Sequence, residues 1–161
     1  GDLMPIPAYL WINDGKIKGG CTVAGRENSI EVLEFHHEVR IPTDPDTGSL
    51  TGTRKHEAFQ IIKAFDQSSP LLYKAVCEGI TYDKMKVDWY KIDDQGAEVL
   101  YFSHLLETVK VCSVEPIMYN VKAREFERFV HMEKVSFRYG KITWEYPEGG
   151  YVHTDSWLEG R

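Results

Sequence analysis

The chain has 161 residues, 42% of them hydrophobic, and a formal net charge of -6. That length supports one domain with a real core, and the acidic balance argues against a general nucleic-acid role, which needs basic surface to displace counterions from phosphates. No apolar run approaches the roughly 18 to 20 residues of a membrane-spanning helix, so no membrane insertion is expected, and no charged region followed by an apolar one marks an export signal. Cys21, Cys77 and Cys112 are widely spaced with no C-x-x-C among them, the pattern of free, mostly buried thiols. Met4 reads as the natural start, so Gly1–Leu3 is expected to be a cloning remnant and the final "LEGR" partly one too, leaving residues 4–158 as a single domain.

In chain order, "AYLWI" at Ala8–Ile12 reads as a first strand, and Asn13-Asp14-Gly15 supplies the turn for a hairpin into Lys16–Val23. "SIEVLEFHHEVRI" then alternates, with Leu33, Phe35, His37, Val39 and Ile41 on one face and Glu34, His36, Glu38 and Arg40 on the other. Ala58–Phe65 is a further strand. "SSPLLYKAVCEG" predicts a helix with Ser69 as cap, Pro70 at the first position, Leu72, Ala75 and Val76 as the buried stripe, and Gly79 as terminator. Met85, Val87 and Trp89 alternate with Lys84, Lys86 and Asp88, and "DDQG" at 93–96 turns the chain into a long strand over Glu98–Val114.

Along that strand Val99, Tyr101, Leu105, Val109 and Val111 face one way and Leu100, Phe102, Leu106 and Val114 the other, so both faces need cover from a helix, a second sheet or a neighbouring copy. Further on, Val135, Phe137 and Tyr139 are odd-numbered while Ile142, Trp144 and Tyr146 are even, so the apolar face changes phase at Gly140, where a bulge is expected. A second phase change at Trp89-Tyr90 adds to the case for a strongly curved sheet. The expected fold class is mainly β, a two-sheet β-barrel-like fold with one α-helix packed on its side.

The stretch "IPTDPDTGSLTGTRKHE", Ile41–Glu57, offers acidic oxygens, paired glycines and a histidine. An EF-type calcium loop counted from Asp44 puts Gly48 at position 5 and Lys55 at position 12, failing the register twice. A phosphate-binding loop fails as well, because Gly48 and Gly52 are one residue too close and Thr53-Arg54 stands in place of Lys-Ser/Thr. Asp44, Pro45, Asp46 and Gly48 therefore read as turn formers. His36 and His37 are adjacent on a strand and point to opposite faces, a solvated His36 and a satisfied core His37. His56, His104, His131 and His153 stand singly, and no G-x-S-x-G elbow is present. No catalytic group, cofactor or metal is expected.

The strand-to-helix junction "FQIIKAFDQSSPLLYKAVCEG", with Asp66, Ser68, Ser69, Pro70 and Leu71, resembles the Hcp family, the hemolysin-coregulated proteins of the bacterial type VI secretion system. The resemblance continues through "SIEVLEFHHEVR", "EVLYFSHLLETVKV" and "MEKVSFRYGKITWEY", and runs from about Ala8 to Trp157. It implies a barrel-like subunit that forms hexameric rings, stacked into a hollow tube that is propelled by a sheath, tipped by a spike and secreted. The implied partners are further copies of the chain, the spike and sheath proteins, and effector proteins in the lumen. The implied location is the bacterial cytoplasm during assembly, then the exterior, with no cleavable signal peptide.

The chain departs from that resemblance in the segment Pro42–His56, where other members have a shorter or Gly-rich one. That segment is expected to form a subunit contact through Pro42, Asp44, Asp46, Leu50, Thr53, Arg54 and His56, since a ring docks one patch on a different patch of its neighbour. The rival expectation is a monomeric β-barrel that binds or hydrolyses a small ligand.

Overall fold

A computed structural model describes residues 6–126 and 130–157; the expected start at Met4, the remnant Gly1–Leu3 and the terminal "LEGR" lie outside the described residues. The strands are β1 (Ala8–Ile12), β2 (Ile30–Val32), β3 (Glu34–His36), β4 (Val39–Arg40), β5 (Lys55–His56), β6 (Phe59–Ala64), β7 (Thr81–Ile92), β8 (Glu98–Ile117), β9 (Met132–Tyr146) and β10 (Tyr151–Ser156), with helix α1 (Ser69–Glu78) between β6 and β7. One sheet runs in the order β2-β1-β7-β8-β9-β6-β3, with β10 paired to β9, and β4-β5 form a separate ribbon.

The two ends of that path, β2 and β3, are neighbouring stretches of one segment. The Leu33 N–H between them donates to the Ile62 carbonyl of β6 at 2.8 Å. The sheet therefore curls back on itself into a nearly closed barrel, and both walls of the expected two-sheet fold come from one continuous ladder. Its interior is filled by Ile30, Phe59, Ile61, Met85, Val87, Leu106, Val135, Phe137 and Ile142, all fully buried.

Helix α1 packs against β8, and Leu72 and Ala75 enter the core. Gly79 closes it at φ 67°, a left-handed position that glycine occupies without a Cβ penalty. The N-cap is Ser68, not Ser69 as expected, because Asp66 organises the start instead. Its Oδ1 accepts both the Ser68 N–H and the Ser68 hydroxyl, which leaves the Ser69 hydroxyl free to donate to buried Glu133. Burial raises the Asp66 carboxyl, yet the Ser68 bonds and the Lys63 ammonium outweigh it and hold the group below its ordinary value.

Three expectations are corrected. Lys16–Val23 is not a strand. After the Asn13-Asp14-Gly15 turn the segment makes a single bridge, Ile17 to Ile12, and the place beside β1 is taken by β2. The alternating run from Ile30 breaks into three short strands, because Leu33 sits at the crossover between the two sheet ends, 47% exposed, and the buried phase passes from Ile30 and Val32 to Phe35 and His37. Of the thiols, only Cys21 is buried; Cys77 lies on the open side of α1 and Cys112 on the outer side of β8.

The phase change at Gly140 is present, but as a kink rather than a bulge. The pairs Lys84↔Glu107 and Tyr82↔Val109, and Glu107↔Lys141 and Val109↔Tyr139, keep one register, so Asp83, Thr108 and Gly140 form one row across β7, β8 and β9. All three strands invert their buried face at that row. Thr108 takes φ 56°, strained for a β-branched residue, and a Cβ on Gly140 would stand 3.3 Å from the Thr108 Cβ. The inversion also places Val109 and Val111 on the side of Leu106, not of Leu105 as simple alternation predicts. The register shift expected at Trp89-Tyr90 is present, and another lies between Val111 and Ser113.

Candidate functional site: a projecting hairpin and its anchor

The segment Val39–His56 is a β-hairpin standing off the barrel. Its base is the β4-β5 pairing Val39↔His56 and Arg40↔Lys55, and further out Thr43 bridges to Leu50. The Asp44 N–H donates to the Ser49 carbonyl and the Thr51 N–H to the Pro42 carbonyl, each at 2.7 Å. At the tip, Asp44 Oδ1 accepts the Asp46 N–H at 2.8 Å and the Thr47 N–H at 3.4 Å, so this carboxylate is committed to shaping the turn. Gly48 and Gly52 take φ 74° and 81°, conformations that restrict side chains there.

The root of the hairpin is tied to the barrel by a chain of polar contacts. Arg54 Nε donates to Asp155 Oδ2 at 2.5 Å, and its second nitrogen donates to the Ser156 carbonyl at 3.0 Å. His56 Nε2 donates to the same Asp155 oxygen at 2.7 Å. A carboxylate only accepts, so Nε2 carries the proton of that bond, while the other ring nitrogen lies 2.5 Å from the Tyr139 hydroxyl, which is itself 2.8 Å from His37 Nε2. The His56 ring also stacks on Trp157 with centroids 5.6 Å apart. Hydrogen bonding from Arg54, ahead of His56, holds the Asp155 carboxyl down at about 2.

An Asp-His-hydroxyl series invites a catalytic reading, but its geometry is that of a tie. Tyr139 is 4% exposed, and burial, with the nearby Asp155 charge, pushes its phenol well above the ordinary value, so the hydroxyl is neither ionised nor open to a substrate. Among the described residues no group of three or more His, Cys, Asp or Glu is placed to hold a metal ion.

Of the residues expected at a subunit contact, Asp46, Leu50 and Thr53 are exposed, Leu50 by 67%, while Pro42 and Asp44 are half-buried within the hairpin. Arg54 and His56 are drawn inward. His56 is only 4% exposed, and within its own subunit it anchors the hairpin. Its partners Tyr139 and Asp155 lie 83 and 99 residues away, so no local pattern announced them. The sequence does hold one signal for a second buried polar pair: Lys63 is in phase with Phe59 and Ile61, and Glu133 with Val135 and Phe137. The two meet at 2.6 Å inside the barrel.

The family model described as "Type VI secretion system effector, Hcp" matches residues 9–146. The chain belongs to the Hcp family. The "Major exported protein" of Pseudomonas aeruginosa is 36% identical over 166 residues, covering 96% of each chain. A variant of Hcp1 from E. coli EAEC 042 is 48% identical, with a TM-score of 0.84 over 96% of this chain and 100% of the other. The secreted protein Hcp3 of Pseudomonas aeruginosa is 30% identical, with a TM-score of 0.76 over 95% and 99%. The Hcp family is one of secreted, structural proteins of the type VI system, and the barrel with its one described α-helix superposes on these solved Hcp structures.

Proposed function

We propose that this chain is the building block of a type VI secretion tube. Copies form hexameric rings, the rings stack into a hollow tube, and effector proteins travel in the lumen. Sheath and spike proteins are its machine partners, assembly takes place in the bacterial cytoplasm, and the subunit's contribution is binding rather than catalysis. The observation that carries this reading is the family match across almost the whole barrel, residues 9–146. The projecting hairpin supports it, because an ordered polar ribbon with Leu50 and Ile41 exposed is suited to docking on a different patch of a neighbour, the contact type that closes into rings.

Light scattering at tens of micromolar protein tests the ring: a mass six times that of one chain is expected, and a monomer peak alone overturns it. Deletion of residues 44–53 is expected to abolish rings or their stacking, and unchanged assembly removes the hairpin from the interface. Effector carriage is tested by recovery of intact effectors with the ring and their loss on substituting wall residues. The rival reading, a monomeric ligand-binding barrel, has in its favour an open cleft of about 760 Å³ beside Ala8, Val32, Phe35 and Trp89, and the mass measurement separates the two.

A further inference from the structure

The barrel is not closed by hydrogen bonds all the way round. Strand β3 is laddered to β6 on one edge only, and the cleft of about 760 Å³ lies between Leu33–Phe35 on one side and Ala8, Tyr9 and Trp89 on the other. What spans the seam is a ring cluster. The Phe35 centroid is 4.8 Å from Phe59, 5.1 Å from Trp89 and 5.3 Å from His104, and His37 lies 5.3 Å from Phe59.

Two histidines sit inside this cluster, and the hydrogen bond of one of them, His104, specifies its protonation. Trp89 Nε1 is 2.9 Å from His104 Nδ1. An indole nitrogen only donates, so His104 Nδ1 must carry a lone pair, and adding a proton there would set N–H against N–H. Around His104 stand Phe35 from β3, Phe59 from β6, Trp89 from β7 and Phe102 from β8, and the titratable group acting on it is another base, His37. His37 faces Phe59, Tyr139 and Trp144, with the His56 ring as its electrostatic neighbour. The carboxylate at the end of that series, Asp155, is bonded to His56 and Arg54.

We propose that the seam of this barrel is an acid-released lock: the ring cluster beneath the cleft holds while His104 and His37 are neutral, and their protonation frees Phe35 and β3 from Trp89 and widens the cleft.

The direction follows from burial, which moves both imidazoles down to about 4. A folded value below the unfolded one near 6.5 means that stability falls as pH drops below 6.5 and that the loss is complete only near 4. Between pH 7.5 and 5 each histidine lowers the folding equilibrium constant about 30-fold, and the two together several hundred-fold. The inference concerns the single subunit and does not depend on whether copies form a tube.

The test is amide hydrogen exchange of the full chain at pH 7.5, 6 and 5, corrected for intrinsic rates, with urea unfolding at each pH. Exchange at Glu34–His36 is expected to rise ahead of the β8-β9 ladder, and His104→Gln, which keeps an acceptor for Trp89 but cannot take a proton, removes about 30-fold of the acid loss. Exchange that rises uniformly across the barrel, or a His37→Gln/His104→Gln chain that is as acid-sensitive as the parent, overturns the lock. Should those variants not fold, the ring nitrogens of the parent decide by NMR. A protonated His104 Nδ1 at neutral pH, or a midpoint near 6.5 with the seam still closed, overturns it equally.

Discussion

Lys63→Met is expected to be among the most destabilising substitutions in the chain. Lys63 and Glu133 face each other across the β6-β9 ladder, each with 1% of its side chain exposed, and their charged atoms are 2.6 Å apart. At that distance an effective dielectric near 20 gives roughly 6 kcal/mol of attraction. Stripping water from two ions costs several kcal/mol each, so the pair as a whole stands near neutral. The asymmetry lies in removing one member. Without Lys63, the Glu133 carboxylate stays buried with the Ser69 hydroxyl on one oxygen, and its Oε2 has no hydrogen-bond partner even in the parent. A loss of about 3–5 kcal/mol is expected. Glu133→Gln leaves Lys63 beside Asp66 and Ser69 and costs less, about 1.5–3 kcal/mol. The double change Lys63→Met/Glu133→Leu recovers most of the loss, because an apolar pair of similar volume carries no desolvation penalty. Urea unfolding followed by far-UV circular dichroism, at one fixed protein concentration so that self-association does not shift the midpoint, measures all three. The reasoning is refuted if Lys63→Met costs less than about 1 kcal/mol, or if the double variant is no more stable than Lys63→Met alone.

Three further outcomes are expected. Thr108→Gly relieves the left-handed strain in mid-strand and, after the entropy cost of glycine, raises stability by about 0.5–1 kcal/mol in thermal melts. Gly140→Ala crowds the Thr108 side chain and lowers stability, and it does so less in the Thr108→Gly background, a coupling that a double-mutant cycle reads directly. Asp155, with its folded value near 2 against 3.8 unfolded, contributes stability that is fully present above pH 4 and is lost as pH falls through 2. Asp155→Asn should abolish that component, about 1–2 kcal/mol, and hasten proteolytic cutting in the hairpin at neutral pH.

Features that depend on local chemistry were legible in the sequence. Pro70 and Gly79 bound the helix as predicted, "DDQG" makes the turn into β8, and the odd-to-even switch around Gly140 marks a real inversion of the buried face. What escaped depends on partners far along the chain. Nothing near Lys16–Val23 tells that β2 has taken its place beside β1, since that choice is made by Ile30 and Val32 reaching the core. The hairpin residues were legible as turn formers and exposed polar groups. The inward turn of Arg54 and His56 was not, because Asp155 lies about a hundred residues away and an acidic residue on an edge strand ordinarily faces water.

The kink row and the hairpin anchor are parts of one solution to a geometric problem on β9. Residues 132–137 of that strand pair with β6, and residues 141–146 pair with β10, on the same edge. Two strands cannot occupy that edge side by side, so β9 must pass from one partner to the other, and Gly140 stands at the exchange. Its carbonyl, which belongs to neither ladder, accepts the Trp157 N–H at 2.9 Å and the Ser156 hydroxyl at 3.1 Å, which fixes the end of β10. The adjacent Asp155 is then held where Arg54 and His56 reach it. The direction in which the hairpin leaves the barrel is set by the residue at which β9 changes partner, so a change that alters the kink at Gly140 should reorient the hairpin while leaving its own turn contacts at Asp44 intact.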